Sequence, residues 1–67
     1  MSVAKVTEII AASPSSFDDA VKQGIARASE TVKGITGAWV SEQKVKVENG
    51  EITEYRVVMR VTFILSD

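Results

Sequence analysis

The C-terminal stretch of the chain, residues 55–65, predicts a strand that is apolar on both of its faces. By alternation, one face carries Tyr55, Val57, Met59, Val61, Phe63 and Leu65. The other face mixes Val58, Thr62 and Ile64 with Arg56 and Arg60. A helix of the same chain covers only one face of such a strand. We therefore expect other copies of the chain to cover the second face.

The remaining hydrophobic pattern predicts one helix and two further strands, in the order β-α-β-β. Residues 3–11 are rich in β-branched side chains and are predicted as a strand. Apolar residues at steps of three and four predict a helix over residues 16–33. Residues 36–48 and 52–65 are the second and third strands. A three-stranded antiparallel sheet wrapped on one helix, an α+β fold, joins these elements most simply.

Capping residues mark the ends of the predicted helix. Ser15 or Ser16 is suited to accept a hydrogen bond from the first helical turn. Asp18 and Asp19 follow at capping-box spacing, where the helix dipole favours negative charge. Gly34 is the predicted C-cap.

Two further signals concern the sheet. The alternation of the second strand shifts between Val40 and Val45, which predicts a bulge within residues 41–44. Asn49-Gly50 predicts a type I′ turn joining the second and third strands. A glycine inside the helix, Gly24, suggests close packing against the sheet or a neighbouring copy.

Length and composition favour assembly over solitary folding. Residues 1–67 form one small domain, and a domain of this size is marginal alone. The chain has no cysteine for disulfides and no histidine for a structural zinc site, so oligomerisation is the remaining means of stabilisation. A net charge of −1 gives no indication of nucleic-acid or membrane binding. Neither a spanning segment nor a signal peptide is visible, and we expect a cytoplasmic protein.

Catalytic and metal-binding signals are weak. The serines have no histidine partner and the glycines form no phosphate loop, so we interpret the chain as a non-enzyme. Carboxylates suit calcium or magnesium, but those of this chain form no linear calcium loop. The sequence does not identify which of them would be metal ligands. The alternative is that each is a solvated surface charge. The carboxylates considered are Glu8, Asp18, Asp19, Glu42, Glu48, Glu51 and Glu54.

Trp39, Arg56 and Arg60 each allow two interpretations. Trp39, on the sheet face that carries Gly37, either stacks on a planar ligand or is buried between subunits. The two arginines either bind a phosphate or carboxylate ligand, or form salt bridges between subunits. The glutamates named for such bridges are Glu42, Glu48 and Glu54.

Nearly the whole chain resembles the dodecins, small β-α-β-β proteins that form hollow twelve-subunit spheres and often bind flavins. The resemblance rests on Lys5-Val6, the helix start from Ser13 to Phe17, Ala20, Ala26-Arg27-Ala28, Thr31-Val32, Tyr55, Val61 and Phe63. It implies a single dodecin-like domain that assembles with itself into a hollow homododecamer.

The resemblance also locates the family's two chief flavin contacts. A tryptophan early in the second strand is replaced here by Gly37, and the glutamine after the strand-three tyrosine is replaced by Arg56. Trp39, two residues on, faces the same side and is a candidate substitute. A second group of dodecin-like chains shares this arginine, lacks the tryptophan and is linked to calcium. The segments Ser13-Pro14 and Glu42-Gln43 are nearer to that group.

The function expected from the resemblance is storage or protection of a small ligand inside a shell. Flavin (riboflavin, FMN or FAD) is the expected ligand, with Trp39, Gln43 and Arg56 as cofactor-binding residues. The alternative is a calcium-binding or purely structural shell without flavin.

Overall fold

The computed structural model describes residues 2–65 and has one helix and three strands. They are β1 (Val3–Ser13), α1 (Phe17–Thr31), β2 (Ile35–Glu48) and β3 (Glu51–Leu65). The order β-α-β-β and the antiparallel three-stranded sheet confirm the expected α+β fold. Met1, Ser66 and Asp67, which the domain prediction includes, lie outside the described residues.

The sheet has the order β1-β3-β2, so the strand that is apolar on both faces lies in the centre. Both neighbours pair with it in antiparallel fashion, from Val3 opposite Leu65 to Ser13 opposite Tyr55 on the β1 side. β1 and β2 are consequently edge strands, each with one side whose backbone groups pair with no strand of residues 2–65.

The core lies between α1 and the two strands β1 and β3. Val57, Met59 and Val61 are at most 1% exposed, so this is the face of β3 that the helix covers. Ala20 of α1 is also fully buried against this cluster. At the start of the helix, the ring of Phe17 meets that of Tyr55 edge-on, with centroids 5.2 Å apart.

The N-terminal cap agrees with the prediction and the C-terminal cap does not. The Ser16 hydroxyl accepts a hydrogen bond from the Asp19 backbone N–H at 3.0 Å. The helix ends at Thr31 with Val32 as its cap, two residues before the predicted end. Gly34 serves the sheet instead: with φ at +79°, its carbonyl accepts a hydrogen bond from the Ile64 N–H at 2.9 Å.

The predicted irregularities of the sheet are present. The register of β2 against β3 shifts between Val40 and Glu42, which places a bulge at Ser41. The Ser41 hydroxyl donates to the Val58 carbonyl there. Asn49 and Gly50 both have positive φ, at 53° and 77°, as a type I′ turn requires.

The β2–β3 hairpin extends past the rest of the molecule. β1 ends opposite Tyr55, so the two strands continue alone from Lys46 opposite Glu54 to the turn. We call residues 46–54 the hairpin arm. The radius of gyration is 13.8 Å, against about 11 Å for a compact domain of this length. The accessible surface is 4862 Å² for a 7.2 kDa chain, against roughly 4100 Å² for a typical monomer.

The described part of the chain contains no helix that is long and apolar enough to cross a membrane.

Candidate functional site

The face of the sheet that points away from α1, here called the outer face, has no cover from residues 2–65. Its members follow from the register against β3. They are Ala4, Val6, Glu8, Ile10 and Ala12 of β1, Arg56, Val58, Arg60, Thr62 and Ile64 of β3, and Gly37, Trp39, Glu42 and Lys44 of β2. Ile10 is 63% exposed and Val6 is 46% exposed, so apolar surface is open to solvent on this face.

A row of three unlike side chains crosses the middle of the outer face. Arg60 of β3 lies opposite Glu8 on one side and Trp39 on the other. The Arg60 Nε lies 3.7 Å from a Glu8 carboxylate oxygen, and both side chains are about half exposed. The neighbouring rows contain apolar residues, Val6 on one side and Ile10 with Val58 on the other. A carboxylate, a guanidinium and an indole are thus presented together, between rows that contain both these apolar residues and the polar residues Thr62 and Glu42.

Trp39 has open space beside it. Its side chain is 49% exposed. Gly37 shares the outer face two residues away, and a β-carbon there would meet no atom within 4 Å. The two residues leave a notch where a planar group could lie against the backbone and the indole.

Arg56 lies at the end of the outer face where the hairpin arm begins. Its Nε and Nη2 donate to one oxygen of Glu54, at 3.2 and 2.8 Å. Lys44 lies directly opposite Arg56 on β2. A shallow cavity of about 320 Å³ opens here, lined by Lys44, Val45, Lys46, Glu54 and Arg56. The positive charge of this cavity is only partly balanced, because Glu54 is its one carboxylate.

The structure separates the three predicted cofactor-binding residues. Trp39 and Arg56 share the outer face, but they lie in rows four residues apart on β3, or about 13 Å at roughly 3.3 Å per residue. Gln43 lies opposite Val57, on the side of the sheet that faces α1. The position of the bulge at Ser41 decides this, because one extra residue in β2 reverses the alternation after it.

The arginines have carboxylate partners within their own chain. Salt bridges between subunits were the alternative expected from the sequence. Within one chain, Arg56 pairs with Glu54 two residues before it, and Arg60 pairs with Glu8. Salt bridges between subunits stay a prediction. From the sequence, Glu8 was considered only as a metal ligand. Its pairing with Arg60 depends on β1 lying beside β3 in the sheet, and the sequence did not supply that strand order.

The carboxylates named as metal candidates do not converge in one copy. Within residues 2–65, no group of three or more acidic side chains is arranged to hold a metal ion. Asp19 is engaged at the helix start, where it accepts hydrogen bonds from Ser13 and Gln23 at 2.6 Å each.

Sequence comparison relates the chain to known proteins. A model of the dodecin family matches residues 3–66. Calcium dodecin of Mycobacterium tuberculosis is 38% identical over 63 residues, covering 94% of this chain and 89% of that protein.

Structural comparison gives similar proteins. Dodecin from Streptomyces davaonensis superposes with a TM-score of 0.94 at 33% identity, over 98% of this chain and 97% of the other. The crystal structure of calcium dodecin from M. tuberculosis, described as calcium chelating with a novel calcium-binding site, gives a TM-score of 0.82 at 37% identity. This match covers 96% of the present chain and 91% of that chain.

Proposed function

The chain belongs to the dodecin family, and we propose that twelve copies form a hollow shell that binds and sequesters a small ligand. Storage or protection, rather than catalysis, is the role we assign to it. The open outer face carries this proposal, since Ile10, Val6 and Trp39 are each about half exposed or more in the isolated protomer. Covering such a face with other copies removes apolar surface from water, at about 25 cal/mol per Å².

We propose a flavin as the ligand, bound between copies. Trp39 supplies an aromatic surface beside the notch at Gly37, and Arg56 supplies donors for the carbonyl edge of the ring. Their separation within one chain is the reason for placing the ligand between copies, with Trp39 from one and Arg56 from another. Gln43 lies on edge strand β2, so it can contact a ligand bound against that free edge.

A titration of riboflavin tests the flavin proposal. Stacking on Trp39 should quench riboflavin fluorescence in proportion to protein, and the purified protein should absorb between 300 and 500 nm if flavin is retained. Trp39→Leu should abolish the quenching, while Lys46→Gln on the hairpin arm serves as a control that should keep it. Riboflavin that stays fully fluorescent at micromolar protein contradicts the proposal.

Calcium is the second candidate ligand, favoured by the similarity to calcium dodecin of M. tuberculosis. Carboxylates of neighbouring copies would supply the oxygen ligands that calcium prefers. Calcium should then raise the melting temperature by binding only the native assembly, and a chelator should reverse the rise. An unchanged melting temperature with either reagent argues for a shell without calcium.

The assembly itself is tested by light scattering in dilute buffer. We expect a mass twelve times that of the 7.2 kDa chain. A folded species at the mass of a single chain contradicts the shell and both ligand proposals.

A further inference from the structure

Arg60 lies directly beside Trp39 on the outer face. The two residues are partners in the register of β2 against β3, and the β-carbons of directly opposite residues lie about 4.5–5.5 Å apart. Arg56, the other arginine of this face, lies four residues from Arg60 along β3. A ligand that stacks on the indole therefore meets Arg60 before it meets Arg56 of the same copy.

The guanidinium of Arg60 has donors that a ligand can use. Its ion pair with Glu8 joins Nε to a carboxylate oxygen at 3.7 Å, and the Arg60 side chain is 53% exposed. A guanidinium carries several N–H donors in a planar fork, so the contact with Glu8 leaves the Nη groups for a ligand. Arg56, by contrast, already gives Nε and Nη2 to Glu54, at 3.2 and 2.8 Å.

Glu8 determines which kind of acceptor suits Arg60. It lies on β1, on the side of Arg60 away from Trp39, so their contact draws the guanidinium away from the indole. The Trp39 side chain stays 49% exposed. A phosphate brought to Arg60 would also approach the Glu8 carboxylate, and the two negative charges would repel each other. An uncharged carbonyl oxygen accepts from the guanidinium without that repulsion.

The notch beside Trp39 has room for a flat ring next to Arg60. Gly37 lies opposite Thr62 in the neighbouring row, and a β-carbon at Gly37 would meet no atom within 4 Å. A ring placed over Gly37 can stack on the indole and turn one edge toward Arg60. The hydroxyl of Thr62, two residues from Arg60 along β3, can donate or accept at the same place.

We propose that Arg60 is a ligand-binding residue, whose Nη groups donate to the carbonyl edge of a flat heteroaromatic ring stacked on Trp39 of the same copy. This inference rests on the proposed flavin site and names the residue that selects the ring. A ring without acceptors at this edge would leave the donors of Arg60 unpaired once another copy covers the outer face, and unpaired donors weaken binding. Arg60 thus recognises the ring and not a phosphate on the ligand.

Arg60→Lys tests the contact, because it keeps a positive charge beside Glu8 and removes the planar fork of donors. The Kd for riboflavin, measured by fluorescence quenching, should rise about tenfold, as expected for the loss of one hydrogen bond to a charged group. The Kd for FMN should rise by the same factor, since the two ligands share their ring. Arg27→Lys, the same substitution on α1, is the matched control and should change neither Kd.

Particle mass separates ligand binding from assembly. Light scattering at the concentrations of the titration should give one mass for the wild type and for both variants. An unchanged Kd for riboflavin in Arg60→Lys, or a loss confined to FMN, overturns the inference and leaves the flavin proposal standing. A smaller particle for Arg60→Lys also overturns it, because Arg60 would then act through the contact between copies. Wild-type protein that leaves riboflavin fully fluorescent overturns both.

Discussion

Gly24 of α1 lies directly against Met59 of β3. A β-carbon at Gly24 would lie 2.6 Å from the terminal methyl of Met59 and 3.0 Å from the β-carbon of Ala11. Met59 is only 1% exposed, so its methyl group has little space into which it can move. The close packing that the sequence suggested for a glycine within the helix is therefore present, and it is packing against the sheet.

Gly24→Ala should lower the free energy of unfolding by about 1 kcal/mol. Alanine gains up to about 1 kcal/mol in helix propensity, but overpacking a tight core typically costs about 1–3 kcal/mol. Gly37→Ala is the control, since a β-carbon there meets nothing within 4 Å. Thermal melts at one fixed protein concentration should show a decrease for the first variant only. A stabilised Gly24→Ala would mean that the core around Met59 yields easily.

Gly34→Ala should be more destabilising than Gly50→Ala. Both glycines have positive φ, at 79° and 77°, and both substitutions incur the left-handed backbone cost of roughly 1–2 kcal/mol. At Gly34 the added carbon would also lie 2.9 Å from the Ile64 carbonyl oxygen, whereas Gly50 has open space. Denaturant titration of both variants measures the difference, and equal losses would contradict the steric argument.

Ser16→Ala should cost about 1 kcal/mol of stability. The substitution removes the oxygen that accepts from the Asp19 N–H at 3.0 Å. Ser15→Ala is the matched control, because Ser15 contributes its backbone N–H, which is kept, to a hydrogen bond with the Ser13 hydroxyl. Unfolding curves that are shifted alike by both substitutions would argue against Ser16 as the effective cap.

Glu8→Gln should weaken the assembly at least tenfold, seen as dissociation at higher protein concentration on dilution. Once the outer face is covered by another copy, the substitution leaves Arg60 without its partner in a partly dehydrated site. Glu48→Gln is the control, since the Lys46–Glu48 pair is 4.0 Å long and both side chains are at least 60% exposed. Such pairs contribute about 0–1 kcal/mol. Equal dilution behaviour of both variants would show that Glu8 and Arg60 stay in water.

The sequence predicts the elements of this fold well because their signals are local. Each signal depends on residues within a few positions of one another. These signals are the alternating apolar residues of β3, the apolar residues on one side of α1, the Ser16 cap and the Asn49-Gly50 turn. Gly34 was misassigned as the helix C-cap because its role depends on a residue distant in sequence. Its carbonyl accepts a hydrogen bond from the Ile64 N–H.

The candidate site was predicted less completely, since it depends on pairing between strands. Trp39 and Arg60 occupy one row only because β2 lies beside β3, and Glu8 joins them only because β1 lies on the other side. The spacing of hydrophobic residues along the chain does not determine the order of the strands in the sheet. The exact position of the bulge, at Ser41, likewise decides that Gln43 lies on the side of the sheet that faces α1 and not on the outer face with Trp39.

The central position of β3 has a consequence for how the chain reaches its native state. β1 precedes β2 and β3 along the chain, yet every strand pair it makes is with β3, from Val3 opposite Leu65 onward. The β2–β3 hairpin closes through a two-residue turn, whereas pairing of β1 with β3 must close a loop that contains α1 and β2. This long loop closure is the step expected to limit the folding rate.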